Sequence, residues 1–276
     1  MITVLGAGGF VGSAVSERLR ESKTPFCAPG RDEDLRGKEL GDVIYCIGLT
    51  ADFRKYPFQT VEAHICRLKY VLEHCKFSSL TYLSSTRMYI HNEDTFEDKP
   101  VVIDPSQPAD LYNVSKLAGE MLALNCGRAN IKIARLSNVY GFDFLSDNFI
   151  TSILKDALTQ KKIVLRTTPS SSKDYIYVDD VAALLIKLSS VNGSGIYNIA
   201  AGSNTSNYEI LSTLHSITGC EIVYEDDAAE IIFPAIRIDK IRNEFNFVPS
   251  KSLAEYLAPM VQHFKNELDK NETKSS

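Results

Sequence analysis

Residues 2–12 read Ile2-Thr3-Val4-Leu5-Gly6-Ala7-Gly8-Gly9-Phe10-Val11-Gly12, and their order decides the fold class. A short apolar run, of the kind a strand buried on both faces shows, meets a glycine-dense turn. Phe10, Val11, Ala14, Val15 and Leu19 then recur at helical spacing. Strand, tight turn and helix in direct succession set the open N–H groups of a helix N-terminus beside a strand end. That arrangement suits a pyrophosphate, because glycine admits the close approach that a Cβ obstructs. A glycine triplet alone is equally a tight structural turn; its place on the first strand of an alternating chain favours the phosphate reading.

The alternation continues outward. Pro25–Pro29 reads as a second strand ended by Gly30, and Val43–Ile47 as a third. Pro57 opens a helix with Phe58, Val61, Ile65, Leu68 and Leu72 on one face. Leu80–Leu83 is a strand. Pro108 opens another helix, with Leu111, Val114, Leu117, Ala118, Met121 and Leu122 as its expected apolar side and Gly127 as its stop; Ile131–Leu136 is the next strand. Strands alternating with helices imply a mostly parallel sheet covered on both faces. Only about ten residues separate Arg31 from Val43, too few for a helical crossover and another strand, so one unit is reduced. Beyond Gly141 the expected elements are helices at Phe149–Leu158, Asp179–Leu188, Tyr208–Ile217 and Leu253–Phe264, with strands at Lys162–Leu165 and Gly195–Ile199.

Composition bounds the partners. The 276 residues are 44% hydrophobic, and 30 Lys and Arg stand against 35 Asp and Glu, a net charge of −5. There is no basic surplus for a nucleic-acid surface and no apolar run near the ~20 residues that span a membrane. Met1–Leu5 runs into glycines too soon for a secretory signal. Six scattered cysteines without a C-x-x-C read as reduced thiols in a cytoplasmic protein, with no metal site.

Tyr112-Asn113-Val114-Ser115-Lys116 places Tyr112 and Lys116 on one helix face. A nearby ammonium stabilises tyrosinate and brings the phenol towards neutrality, which makes Tyr112 a usable acid/base at an alcohol or carbonyl. The pair alone is common on helix surfaces. Further motifs accompany it: Ser84-Ser85-Thr86-Arg87-Met88-Tyr89, Arg135-Leu136-Ser137-Asn138-Val139-Tyr140-Gly141, Lys173-Asp174-Tyr175-Ile176-Tyr177-Val178-Asp179-Asp180-Val181-Ala182 and Tyr197-Asn198-Ile199. With the G-x-x-G-x-x-G at Gly6, Gly9 and Gly12, these occur in family order over nearly the whole chain. On them the sequence resembles the extended branch of the short-chain dehydrogenase/reductase superfamily, the sugar-nucleotide-modifying NAD-dependent epimerase/dehydratase family.

The resemblance implies an α/β fold, a Rossmann-like doubly wound sheet with a smaller C-terminal α/β substrate-binding region. Residues 1–140 and 174–200 would form the dinucleotide-binding part, 141–173 and 201–264 the substrate region, and 265–276 a polar, frayed tail. It gives Tyr112 the role of proton donor, Lys116 that of lowering its pKa, and Ser85 that of holding the reacting oxygen, with Ser84 or Thr86 as alternatives. Cofactor contacts fall on Gly6, Gly9, Phe10, Val11, Gly12, Arg31, Cys46, Ile47, Gly48, Tyr112 and Lys116. Substrate contacts fall on Ser85, Thr86, Arg87, Asn138, Lys173 and Arg237. His64 stands where relatives often carry Asn, and is read as a polar helix residue without a direct catalytic role.

Departures from the family pattern narrow the expected reaction. Dehydrating members carry Asp-Glu where this chain has Thr86 and Arg87. The GDP-fucose synthase branch has Cys at the position of Arg87, and the decarboxylating route needs a Glu. What remains needs only Ser85, Tyr112 and Lys116: hydride and proton exchange at a carbinol carbon, most often C4. The leading expectation is reduction of a 4-keto sugar nucleotide; the alternatives are a C4 epimerase with tightly bound NAD and a non-catalytic dinucleotide-sensing protein. NAD-dependent relatives end the second strand with Asp; Gly30 and Arg31 occupy that place here, which favours NADP(H). Asp32 keeps NAD(H) open. The Arg-x-Gly-Asp that often precedes the C-terminal Asp-x-x-Lys-like segment is absent, and Arg237 and Lys173 are the candidate cations for a diphosphate. Relatives form homodimers through the helices that correspond to Pro57–Cys75 and Pro108–Cys126.

Overall fold

The computed structural model describes residues 1–50 and 53–275, with side chains through Lys270. The N-terminal part runs β1 (Ile2–Leu5), α1 (Phe10–Glu21), β2 (Phe26–Cys27), β3 (Asp42–Tyr45), α2 (Pro57–Val61), α3 (Arg67–His74), β4 (Ser79–Ser85), α4 (Asp110–Asn125) and β5 (Ile131–Leu136). A π-helical turn (Glu62–Cys66) joins α2 to α3, and a 3-10 helix (Thr86–His91) follows β4. The remainder runs β6 (Asn138–Tyr140), α5 (Phe149–Thr159), β7 (Lys162–Thr167), β8 (Ser172–Tyr177), α6 (Val178–Ser189), β9 (Gly195–Ile199), β10 (Asn204–Ser206), α7 (Asn207–Thr218), β11 (Glu221–Ala229), α8 (Asp239–Phe245) and α9 (Leu253–Ser275).

Six parallel strands form the central sheet in the order β2-β1-β3-β4-β5-β9. The chain leaves β1 on one side to make β2 and returns on the other side to make β3, so a switch point opens at the carboxyl ends of β1 and β3. The crossover between β2 and β3 is short, as the spacing requires. Gly37 and Leu40 donate backbone N–H groups to His74 and Lys76, and Leu35 and Leu40 fill the core beneath the sheet. Helices α1 and α6 cover one face around Val15, Leu19, Val181 and Leu185; α3 covers the other with Leu68, Val71 and Leu72. Two smaller sheets, β10-β8-β6 and β11-β7, pack with α5, α7 and α9 about a separate apolar cluster that includes Leu154, Leu214 and Leu257. No helix among the described residues is long and apolar enough to cross a membrane.

Three local expectations are corrected. The π turn inserts a residue into the helical register, so the buried line after Pro57 is Thr60, His64, Leu68 and Val71, and Phe58 is left 85% exposed. The apolar side of α4 does not face the core. Its buried side is polar, with Tyr112, Asn113, Ser115, Lys116 and Glu120, while Val114 and Met121 are exposed, Met121 at 59%. The tail expected to fray from Lys265 stays helical to Ser275: Leu268 packs on the C-terminal core and Lys270 pairs with Glu267 at 2.7 Å.

Candidate active site

The switch-point crevice begins with the glycine turn. Gly6 sits at φ +85, and a Cβ there would lie 2.9 Å from the backbone of Cys46 and Ile47. A Cβ on Gly12 would run into the Gly6 carbonyl oxygen. Packing therefore demands both glycines. Gly9 differs, since a Cβ on it would make only an ordinary contact at 3.5 Å. Gly9 is also the N-cap of α1 and supplies no side chain to cap it. The N–H groups of the first turn, at Phe10 and Val11, stay open for an anion. The Phe10 and Val11 side chains pack sideways into the two cores. Cys46, Ile47 and Gly48 line the other lip: Cys46 donates its N–H to Leu5 at 2.8 Å, and burial pushes its thiol up to about 12. Arg31 follows β2, exposed, with its carbonyl accepting from Arg67. These features fit a dinucleotide, with its pyrophosphate on the turn.

From Gly48 the crevice leads to the acid/base group. Ser85 ends β4 and caps the 3-10 helix, its Oγ accepting the Arg87 N–H at 3.2 Å. Tyr112, only 4% exposed, packs against the rings of Phe53 at 5.2 Å and His64 at 5.4 Å. Burial raises the Tyr112 pKa above its ordinary value, while the hydroxyls of Ser85 and Thr50 and the charge of Arg87 oppose the rise. Lys116 was expected to supply that charge. Instead its ammonium donates to the Leu83 carbonyl at 2.9 Å and lies over the Tyr82 ring beside Gly48. Burial pulls Lys116 down to about 7, against the pull of Glu120 and Cys46.

His64 packs against Tyr112 inside this arrangement. It is wholly buried, accepts the Leu49 N–H at Nε2 (3.2 Å) and meets Ser115 Oγ through Nδ1 at 2.8 Å. Because Nε2 accepts, Nδ1 carries the proton; Ser115 Oγ passes its own to the Tyr112 carbonyl at 2.8 Å. Burial, reinforced by Lys116, holds His64 neutral, with its pKa pushed down to about 2. The imidazole thus ties the loop after Gly48 to the turn of α4 that carries Tyr112. One turn further, Glu120 takes Arg135 in a buried fork, with Arg135 also bonded to Tyr89.

The expected substrate contacts divide. Arg87 lies beside Tyr112, stacked 5.7 Å from the Phe53 ring centroid. Lys173 sits against Phe149 and Phe233, and burial pulls it down to about 8 with Arg87 reinforcing. Three others are engaged elsewhere. Thr86 Oγ1 is buried against the Leu136 carbonyl, and Asn138 Nδ2 donates to the Asp174 carbonyl at 2.9 Å. Arg237 pairs with Asp239 at 2.8 Å and stacks on Phe96. One partner is two residues away and the other far off in the chain, so its charge was available to sequence reasoning but its direction was not. Thr50 and Phe53 were missed; His64 was noted as a polar residue in an apolar helical line, but its bonds to Leu49 and Ser115 were not legible.

Comparison with known proteins places the fold and the family. The family model described as "NAD dependent epimerase/dehydratase family" matches residues 38–200. A UDP-glucose 4-epimerase of Mycolicibacterium smegmatis is 24% identical, over 95% of this chain and 98% of its own. The structure of MoeE5 in complex with UDP-glucose and NAD aligns with a TM-score of 0.81 at 21% identity, covering 97% of this chain and 99% of that one. RMD from Pseudomonas aeruginosa, complexed with NADPH, aligns at 0.76 and 20% identity, covering 96% and 99%.

Proposed function

From the premise that this chain belongs to the NAD dependent epimerase/dehydratase family, we propose that it exchanges a hydride and a proton at C4 of a sugar nucleotide, in the direction of 4-keto reduction. The observation that carries this reading is the Ser85 hydroxyl beside buried Tyr112, at the end of a glycine-turn crevice where Lys116 stands next to Gly48. The bound nicotinamide cofactor supplies the hydride. The open N–H groups of Phe10 and Val11 hold its pyrophosphate, Cys46, Ile47 and Gly48 flank it, and Arg31 pairs with a 2′-phosphate, which favours NADP(H) over NAD(H). Ser85 Oγ–H donates to the ketone oxygen and orients it. Tyr112 Oη–H delivers the proton to the same oxygen as the carbinol forms. Burial keeps Tyr112 protonated, the state a proton donor in reduction requires. The rings of Phe53 and His64 pack on Tyr112 and shelter it from water.

C4 epimerisation uses the same residues in both directions, and the full-length likeness to a UDP-glucose 4-epimerase favours it as the second reading. Incubation with NADPH or NADH and a panel of 4-keto sugar nucleotides separates the two. Reduction consumes cofactor absorbance in proportion to product. Interconversion of C4 epimers without net cofactor change identifies the epimerase, and cofactor binding without either turnover leaves a sensing role. The same reading has the enzyme act in the cytoplasm as a homodimer paired through α2, α3 and α4.

A further inference from the structure

Arg87 is a cation beside the reacting centre whose fork is incompletely used. Its Nε is buried with no hydrogen-bond partner. Its guanidinium shares the Phe53 ring with Arg54, at 5.7 and 4.7 Å from the centroid, and that ring lies 5.2 Å from the ring of Tyr112. Lys173, held over the rings of Phe149 and Phe233, adds a further cation, its pKa lowered by burial and then by the charge of Arg87. Among the described residues, no carboxylate lies within ion-pair distance of Arg54, Arg87 or Lys173. The acid that acts on Arg87, Asp110, is already committed: its oxygens accept from Asn113, the Asp104 N–H and His91. A buried, unpartnered Nε on a charged guanidinium is unfavourable unless an anion completes the site; Arg54 stands at its exposed rim.

The position of the fork says which anion. Arg87 follows Ser85 by two residues, and Ser85 Oγ itself accepts the Arg87 N–H. That bond holds the Arg87 backbone beside the hydroxyl, and the guanidinium stacks on the Phe53 ring that packs against Tyr112, so it addresses the sugar ring. A planar fork matches a carboxylate in two parallel hydrogen bonds, a fit that a point charge lacks. We propose that the sugar carries a carboxylate beside the reacting carbon, as in a nucleoside diphosphate uronate, and that Arg87 selects it with Arg54 and Lys173 in support. This rests on the sugar-nucleotide reading above.

The test is equilibrium binding, by calorimetry, of matched neutral and acidic pairs: UDP-glucose with UDP-glucuronate, and GDP-mannose with GDP-mannuronate. The uronate of one pair should bind about tenfold tighter or more. That ratio should collapse towards one in Arg87→Gln, survive in part in Arg87→Lys, and fall by a smaller factor in the exposed-site variant Arg54→Gln. Retained cofactor affinity certifies that each variant folds. Equal binding of both members overturns the proposal while leaving the sugar-nucleotide reading intact. So does a loss in Arg87→Gln that is equal for both members, which would assign Arg87 to the diphosphate. No binding by either member of both pairs removes the sugar-nucleotide reading and this proposal with it.

Discussion

Tyr112 and His64 divide the work of the site at the level of single residues. Tyr112 touches the reacting oxygen in the proposed reaction, so Tyr112→Phe should lower turnover by about 10²–10⁴-fold while cofactor affinity, read by fluorescence titration, is kept. Full activity in that variant would remove Tyr112 from the mechanism. His64 acts through its neighbours and leaves a signature in pH. Its folded-state pKa is about 2 against an ordinary 6.5, so between those values the unfolded chain binds the proton more readily. Stability should therefore fall as pH drops from about 6.5 towards 2, and His64→Gln should flatten that slope in melting experiments. Lys116, at about 7 against 10.5, gives the same sign in a higher window: the folded state gains stability as pH rises from about 7 to 10.5. Gly9 and Gly12 offer a further contrast. Gly12→Ala places a methyl against the Gly6 carbonyl and should lower the melting temperature, whereas Gly9→Ala should fold normally and weaken cofactor binding.

Helix α4 shows what periodicity conveys at the level of an element. Its apolar spacing was legible, and its location was too, because Pro108 and Gly127 bracket it. Which side faces inward was not, since a polar stripe carrying Tyr112, Lys116 and Glu120 is drawn inside by Arg135, Leu83 and His64. The apolar side is then left with Val114 and Met121 outward, and α2, which packs on α4, carries the exposed Phe58. Covering such a face by a second copy is the economical outcome. Met121→Glu should convert a dimer into a monomer in sedimentation equilibrium, with the far-ultraviolet spectrum unchanged. A wild-type chain that sediments as a monomer at micromolar concentration would end the homodimer proposal.

Across the whole molecule, the crevice is assembled from segments far apart in sequence: the turn at Gly6, the lip at Cys46 and Gly48, and the helix carrying Lys116. A ligand that spans them binds the folded state alone. At a hundredfold excess over Kd, cofactor should raise the melting temperature by about 5 °C or more. NADPH should act at lower concentration than NADH, and Arg31→Ala should remove the difference. The amino-acid sequence by itself determined the alternating architecture, the shortened crossover, the glycine turn and the Tyr112–Lys116 pair, because each is written in neighbouring residues or in fixed spacing. The tertiary structure alone decided that Lys116 turns to Leu83, that His64 packs beside Tyr112, that Arg237 pairs with Asp239, and that Arg87 stands without a carboxylate partner among the described residues. Local pattern gives a helix two faces and a side chain its charge; only packing against distant residues selects the buried face and the partner each charge meets.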